Sequence, residues 1–201
     1  MKKAIIGSGG FGREVYFSLP VEQRVHTVFF VDDKYFDNTN PLILPLSKFD
    51  VSEYEVCVAI GDSFDRKKVV NSLPEDTKFF THVHESVIIL DKSIKIGKGS
   101  IICAGSVLTT GIEIGDHCHL NLHTTIGHDS VIGDYFTTAP GTKISGNCNI
   151  GDCVYFGTNS STKQKINVCD DVVVGLNAGV VKNITQSGIY IGSPAIKIKD
   201  L

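Results

Sequence analysis

His128 and Asp129 stand side by side in the stretch Ile126-Gly127-His128-Asp129-Ser130-Val131-Ile132-Gly133-Asp134. An imidazole ordinarily titrates near ~6.5, so at neutral pH it can take a proton from an attacking nucleophile. A carboxylate beside it can fix its tautomer, as happens at other acyl-transfer sites. A second group has the character of a phosphate or nucleotide cradle: Gly7-Ser8-Gly9-Gly10-Phe11-Gly12 directly follows a short apolar run. Such a loop lets backbone N–H groups approach a ligand, and Asp32-Asp33, about 20 residues on, can accept hydrogen bonds from a ribose or base. Gly61-Asp62 closes a third apolar run in the same way.

The elements that must position these groups fall into two regimes. Over residues 1–84, the apolar runs Lys3 to Ile6, Val28 to Val31 and Val56 to Ile60 each end in Gly or Asp, and a helix is predicted from Phe11 to about Leu19, stopped by Pro20. This is a βαβ pattern, a small parallel sheet about half the size of a full dinucleotide fold, and it predicts a mononucleotide-sized site. Over residues 85–201 the pattern changes to a period of six starting at Leu90. Fourteen of the sixteen first positions from Leu90 to Val180 are large and apolar, where 42% apolar composition would give about seven. The second position is often Gly, and the fifth is small or β-branched. A six-residue period is neither helical nor simply alternating; it suits a coil of short strands whose first residue points inward, with residues 18 apart stacked. Sixteen hexads make a little over five triangular coils. The flat faces of such a prism invite self-association.

Bulk properties narrow the function classes. The net charge of −3 and the lack of a basic run argue against nucleic acid. No apolar stretch reaches the ~18 residues of a membrane span, and the start of the chain lacks a signal peptide's apolar core. Six cysteines without a Cys-x-x-Cys pair read as small buried residues in a reducing cytoplasm.

The glycine loop, Val31-Asp32-Asp33, Ala59-Ile60-Gly61-Asp62, the Gly-His-Asp hexad and the tail Gly192-Ser193-Pro194-Ala195-Ile196-Lys197 together resemble one family along nearly the whole chain. It is the sialic acid O-acetyltransferase family of left-handed β-helix enzymes, which includes bacterial nucleotide-linked amino-sugar N-acetyltransferases. The resemblance implies an α/β N-terminal subdomain for the sugar nucleotide, followed by a left-handed parallel β-helix of hexapeptide repeats. It implies acetyl-CoA as co-substrate, no metal, and a homotrimer with active sites between subunits. His128 is then the base, Asp129 its partner, and Gly9, Gly10, Phe11, Asp32, Asp33, Gly61, Asp62 and Asn121 the acceptor contacts. Thr137, Gly146, Lys163 and Lys182 are expected at the coenzyme, Gly146 through its backbone N–H at the thioester oxyanion and the lysines, with Lys165, at its phosphates. Phe11 and Thr137 stand where some relatives carry histidine. The acceptor implied is the 4-amino group of a UDP-, dTDP- or GDP-linked deoxy sugar, and the alternative is a hydroxyl of sialic acid.

Other classes fit the residues less well. A zinc hydratase of the γ-carbonic anhydrase type would use His123 and His128, but the positions stacked beneath them are Gly105, Val87, Thr110 and Lys92. A nicotinamide oxidoreductase needs a longer N-terminal half. A non-catalytic scaffold leaves the His-Asp pair without a role. His117, His119 and His123 lack the hexad context that singles out His128.

Overall fold

In the computed structural model, which describes residues 1–201, the N-terminal unit is a parallel sheet of five strands: β1 (Lys2–Ile6), β2 (Val28–Val31), β3 (Ile43–Pro45), β4 (Tyr54–Val58) and β5 (Lys78–Phe79). Their order is β3-β2-β1-β4-β5. Helix α1 (Gly10–Ser18) follows β1, the short α2 (Val21–Arg24) follows Pro20, and α3 (Ser63–Ser72) follows β4. Parallel strands covered on both faces read as continuous apolar runs, and Ala4, Ile5, Val56, Cys57 and Val58 are wholly buried. The short strands β3 and β5 carried no run long enough to be predicted. Crossovers lead outward from β1 to β2 and β3, then from β4 to β5 on the other side. The switch point therefore lies between β1 and β4, where the glycine loop and Gly61 end their strands, and ligands of open parallel sheets bind there.

The hexads coil into a three-faced prism. The first face stacks Ile88–Ile89, Val107–Leu108, Thr125–Ile126, Lys143–Ile144, Ser161–Thr162 and Gly179–Val180. The second runs from Lys95–Ile96 through Glu113–Ile114, Val131–Ile132 and Asn149–Ile150 to Asn167–Val168. The third begins at His82–Val83 and includes Ile101–Ile102, His119–Leu120, Thr137–Thr138, Tyr155–Phe156 and Val172–Val174. Partners are 18 apart, as in Val107 with Thr125 and Ile114 with Ile132. Pairing starts at His82, ahead of both the predicted boundary at residue 84 and the predicted first hexad at Leu90, so the first face has six strands. Leu90 is exposed, because no coil lies before it to cover it. At the far end Gly188–Ile191 pairs antiparallel with Ile196–Lys199 and closes the prism.

First and fifth hexad positions fill the interior: Leu108, Leu120, Ile126 and Phe156 are fully buried, as are Ser100, Thr124 and Ser130. The fourth position turns each corner with φ between 53° and 62° at His117, His123, Asp129, Asn147, Lys165 and Asn177, among others. Asn, Asp and His tolerate this left-handed backbone better than most side chains. His117 and His123 are corner residues for that reason.

The two units share a seam on the third face. Ile101 joins the core of Ile5, Val15, Leu19, Phe29, Cys57 and Phe80. His82 Nε2 lies 2.8 Å from the Ser18 hydroxyl, and His117 packs against the ring edge of Phe79 and stacks on Tyr135. Burial pushes both imidazoles down to about 4.

Replacing Leu120 by Ala should remove about 2–5 kcal/mol of stability in chemical denaturation, the usual result of opening a cavity in a full core. The buried histidines give a pH signature. Their folded pKa values lie below the ~6.5 of an unfolded histidine, so between these values the unfolded chain binds more protons. Stability should be highest above pH ~6.5 and fall as pH drops towards about 4, with a shallower fall in a His82→Gln variant, measured by urea denaturation across that window.

Candidate active site

The site residues fall on two edges of the prism. Residues 127–130 form the edge between the first and second faces. There Nδ1 of His128 lies 2.8 Å from Oδ2 of Asp129, which makes it the donor and leaves the Nε2 lone pair free. Both side chains are more than half exposed, at 55% and 62%. One coil on, Gly146 lies beneath the imidazole: a Cβ there would sit 2.6 Å from His128 Nε2. Its own N–H donates to no group in the chain. Lys163, Lys165 and Lys182 follow on the same edge, so the base, the proposed oxyanion donor and the lysines form one column.

The largest cavity, about 640 Å³, lies elsewhere, between the N-terminal unit and the third face. Phe11, Gly61, Asp62, Asn121 and Thr137 line it, as do Glu14, Phe64, His119 and Tyr155. It opens towards the edge between the third and first faces, where Asn121, Pro140 and Thr158 lie. Within one subunit, then, His128 and Asn121 stand on different edges, one on either side of the first face. Thr137 is also apart from the Gly146 column. It is buried, and its hydroxyl accepts from Arg66 Nη2 at 2.7 Å and meets Ser63 Oγ at 3.1 Å. The expected coenzyme contact at Thr137 thus carries, within the subunit, a bond between the two units.

A second cavity, about 600 Å³, sits at the carboxyl ends of β1 and β2 and is lined by Gly7, Ser8, Gly9, Asp32, Lys34, Tyr35 and Lys68. This matches the volume of a nucleotide-sized ligand. Gly10 opens α1 between the two cavities. Asp32 pairs with Lys34 at 3.0 Å, which holds its carboxyl below the usual range. Asp33 does not line the cavity. Its carboxylate accepts from Ser47 N at 3.0 Å, which lowers its pKa and pins the turn ahead of β4, so the expected ligand contact at Asp33 is a structural one. Asp62 lines the first cavity while also capping α3 through Asp65 N at 2.9 Å.

Arg66 escaped the sequence reading. It is fully buried on the first turn of α3. Nε donates to the His117 carbonyl (2.9 Å), Nη1 to the Ile60 carbonyl (2.7 Å) and to His119 Nδ1 (3.1 Å), and Nη2 to the Tyr135 carbonyl (2.7 Å). Desolvation lowers its pKa to about 10. His119 donates from Nε2 to the Val58 carbonyl at 3.0 Å, and burial holds its pKa well below the ordinary value. A neutral His119 that stacks on Phe11 at 4.9 Å is wall, not base. Nothing in the sequence around Arg66 marks it; only its zero exposure does. For the zinc alternative, no three His, Cys, Asp or Glu side chains of one subunit gather as a ligand set. No helix is long and apolar enough to cross a membrane.

Residues 2–73 match the family model described as the PglD N-terminal domain. The whole chain is similar in structure to WeeI from Acinetobacter baumannii AYE, at 31% identity and a TM-score of 0.86, covering 98% of this chain and 99% of that one. It is also similar to the acetyltransferase domain of PglB from Neisseria gonorrhoeae FA1090 in complex with acetyl coenzyme A, at 25% identity and a TM-score of 0.88, covering 98% and 99%. In sequence it is 34% identical over 110 residues to the GDP-perosamine N-acetyltransferase of Escherichia coli O157:H7, a match covering 54% of this chain and 49% of that protein. The chain spans about half or less of the length of the curated relatives it matches. Likeness to WeeI along both chains, joined to the PglD-type N-terminal domain, places this chain in the left-handed β-helix acetyltransferase family.

Proposed function

We propose that the protein transfers an acetyl group from acetyl-CoA to the 4-amino group of a nucleotide-linked amino-deoxy sugar of bacterial glycan synthesis. The observation that carries this is the His128–Asp129 pair, with its Nε2 free, above an unengaged Gly146 N–H. The acceptor enters as a neutral amine and attacks the thioester carbonyl while His128 Nε2 takes its proton. The Gly146 N–H meets the developing oxyanion. Collapse expels the coenzyme thiolate, which recovers the proton from the imidazolium. Asp129 holds the tautomer and stabilises the transient cation.

The nucleotide occupies the cavity at the ends of β1 and β2, and the sugar reaches the larger cavity beside Phe11 and Asn121. Glu14 and Asp62 put carboxylates in that larger cavity, which suits an amino acceptor and repels the carboxylate of a sialic acid. The coenzyme lies along the edge of His128, Gly146, Lys163 and Lys182. Because His128 and the acceptor cavity occupy different edges of one subunit, the site is completed between subunits, and a homotrimer repeats that contact three times. Six unpaired cysteines suit a cytoplasmic enzyme.

Coenzyme thiol release across a panel of UDP-, dTDP- and GDP-linked 4-amino sugars, with CMP-sialic acid and a no-acceptor blank, tests the reading. One amino sugar should turn over, and His128→Ala should lose about 10²- to 10⁴-fold in kcat without loss of fold. Turnover on sialic acid alone would transfer the assignment to O-acetylation. Shared sites predict complementation: mixed oligomers of His128→Ala and Asn121→Ala subunits should be more active than either variant alone. Strictly additive activity in the mixture would place each site within one subunit.

A further inference from the structure

Three walls of the larger cavity meet at one side chain that does not itself reach the cavity. Gly61 comes from the β4–α3 loop, and His119 and Thr137 come from the third face of the prism; all three touch Arg66, at 3.3, 3.1 and 2.7 Å. The guanidinium has no ion-pair partner and is spent on neutral acceptors of both structural units. A residue needed only to hold two units together gains nothing from being a buried charge, since an apolar side chain packs without desolvation cost. A planar fork of donors fixes directions as well as distance, and here the directions set the β4–α3 loop against the prism face.

We infer that Arg66 is a positioning residue for the acceptor: it fixes the nucleotide cavity of the N-terminal unit relative to the cavity on the prism, so that a sugar tethered in the first reaches the second in one orientation. The inference rests on the proposed function, because it needs a ligand that spans both cavities. It separates two parts of the machinery. The coenzyme edge of His128, Gly146 and Lys163 makes no contact with Arg66, and the nucleotide cavity is lined entirely by the N-terminal unit. Only a ligand that bridges the units senses the clamp. Lysine cannot replace it, because a single ammonium has three donors on a flexible stem and cannot address five acceptors spread around a plane.

The test compares wild type, Arg66→Lys and Thr137→Val in steady-state kinetics with the turnover-competent amino sugar nucleotide. It also measures the inhibition constant of the matching nucleoside diphosphate. Arg66→Lys should lose about 10²-fold in kcat/KM for the sugar nucleotide, the scale of an ångström-sized misplacement. KM for acetyl-CoA and the inhibition constant of the diphosphate should stay at wild-type values. Thr137→Val, which removes one acceptor of the fork, should show the same split at smaller size, and it carries the test if Arg66→Lys does not fold. Wild-type acceptor kinetics in a folded Arg66→Lys protein, or an equal loss in all three constants, would overturn the inference. Absence of turnover by the wild type on every amino sugar would instead bring down the proposed function on which it rests.

Discussion

The backbone register of 18 residues per coil is the constraint from which the rest follows. Each strand pairs with the strands 18 residues before and after it, and successive coils exchange hydrogen bonds such as Gly127 N to the Ile144 carbonyl at 2.8 Å and Gly151 N to the Val168 carbonyl at 2.9 Å. A one-residue slip would turn buried Leu120 or Phe156 outward and bring polar neighbours in. Because the register cannot slip, each hexad position has a fixed address. Third positions project from the corners, fourth positions turn the chain, and first and fifth positions fill the interior. His128 is a third-position residue, and Gly146 comes beneath it because it is 18 residues on.

A rigid prism still has to be joined to the sheet that precedes it, and the seam is built with unusual chemistry. Apolar contact is present through Ile101 and Phe80, but the polar part turns on a buried guanidinium that faces carbonyls and an imidazole. Burying a charge without a counter-ion is costly, and it persists only where hydrogen bonds satisfy every donor direction. The carbonyls of His117 and Tyr135 are available because they lie on left-handed corners, where φ is 55° and 58°. The corner conformation that lets the prism turn thus also supplies acceptors to the clamp.

Much of the fold was legible because periodicity is a local signal that a rigid register preserves. The apolar runs of β1, β2 and β4, the helix stopped by Pro20, and the hexads all follow from residue spacing. The short strands β3 and β5 did not, since two or three residues carry no period and exist only because a neighbouring strand offers hydrogen bonds. The first coil was missed for a similar reason: His82 and His84 occupy hexad positions without the apolar residue that marks the others. Among the site residues, the pairing of His128 with Asp129 could be read because the two are adjacent in the chain. Asp33 misled, because a carboxylate after a strand serves equally well as a ligand contact or as a turn pin, and the choice depends on Ser47, fourteen residues away. Arg66 could not be read at all, since its partners at 117, 119, 135 and 137 come from two coils of a different structural unit.

The separation of His128 from the acceptor cavity bears on assembly. A half-exposed imidazole on a convex edge has no walls of its own, so water screens its charge and nothing fixes a substrate beside it. The cavity at the other edge has walls and carboxylates but no base. The two become one site only if the edge of one subunit enters the cavity of another. That contact joins unlike surfaces, so it is heterologous, and a two-fold dimer, which pairs a surface with itself, cannot make it. Heterologous contacts must either close into a ring or run on as a filament. A prism of triangular section, bearing the convex edge and the cavity on either side of one face, has the shape for closure around a three-fold axis along that face. On this argument trimerisation is part of the chemistry: the same first face that keeps base and acceptor apart in the monomer is the surface across which neighbouring subunits bring them together.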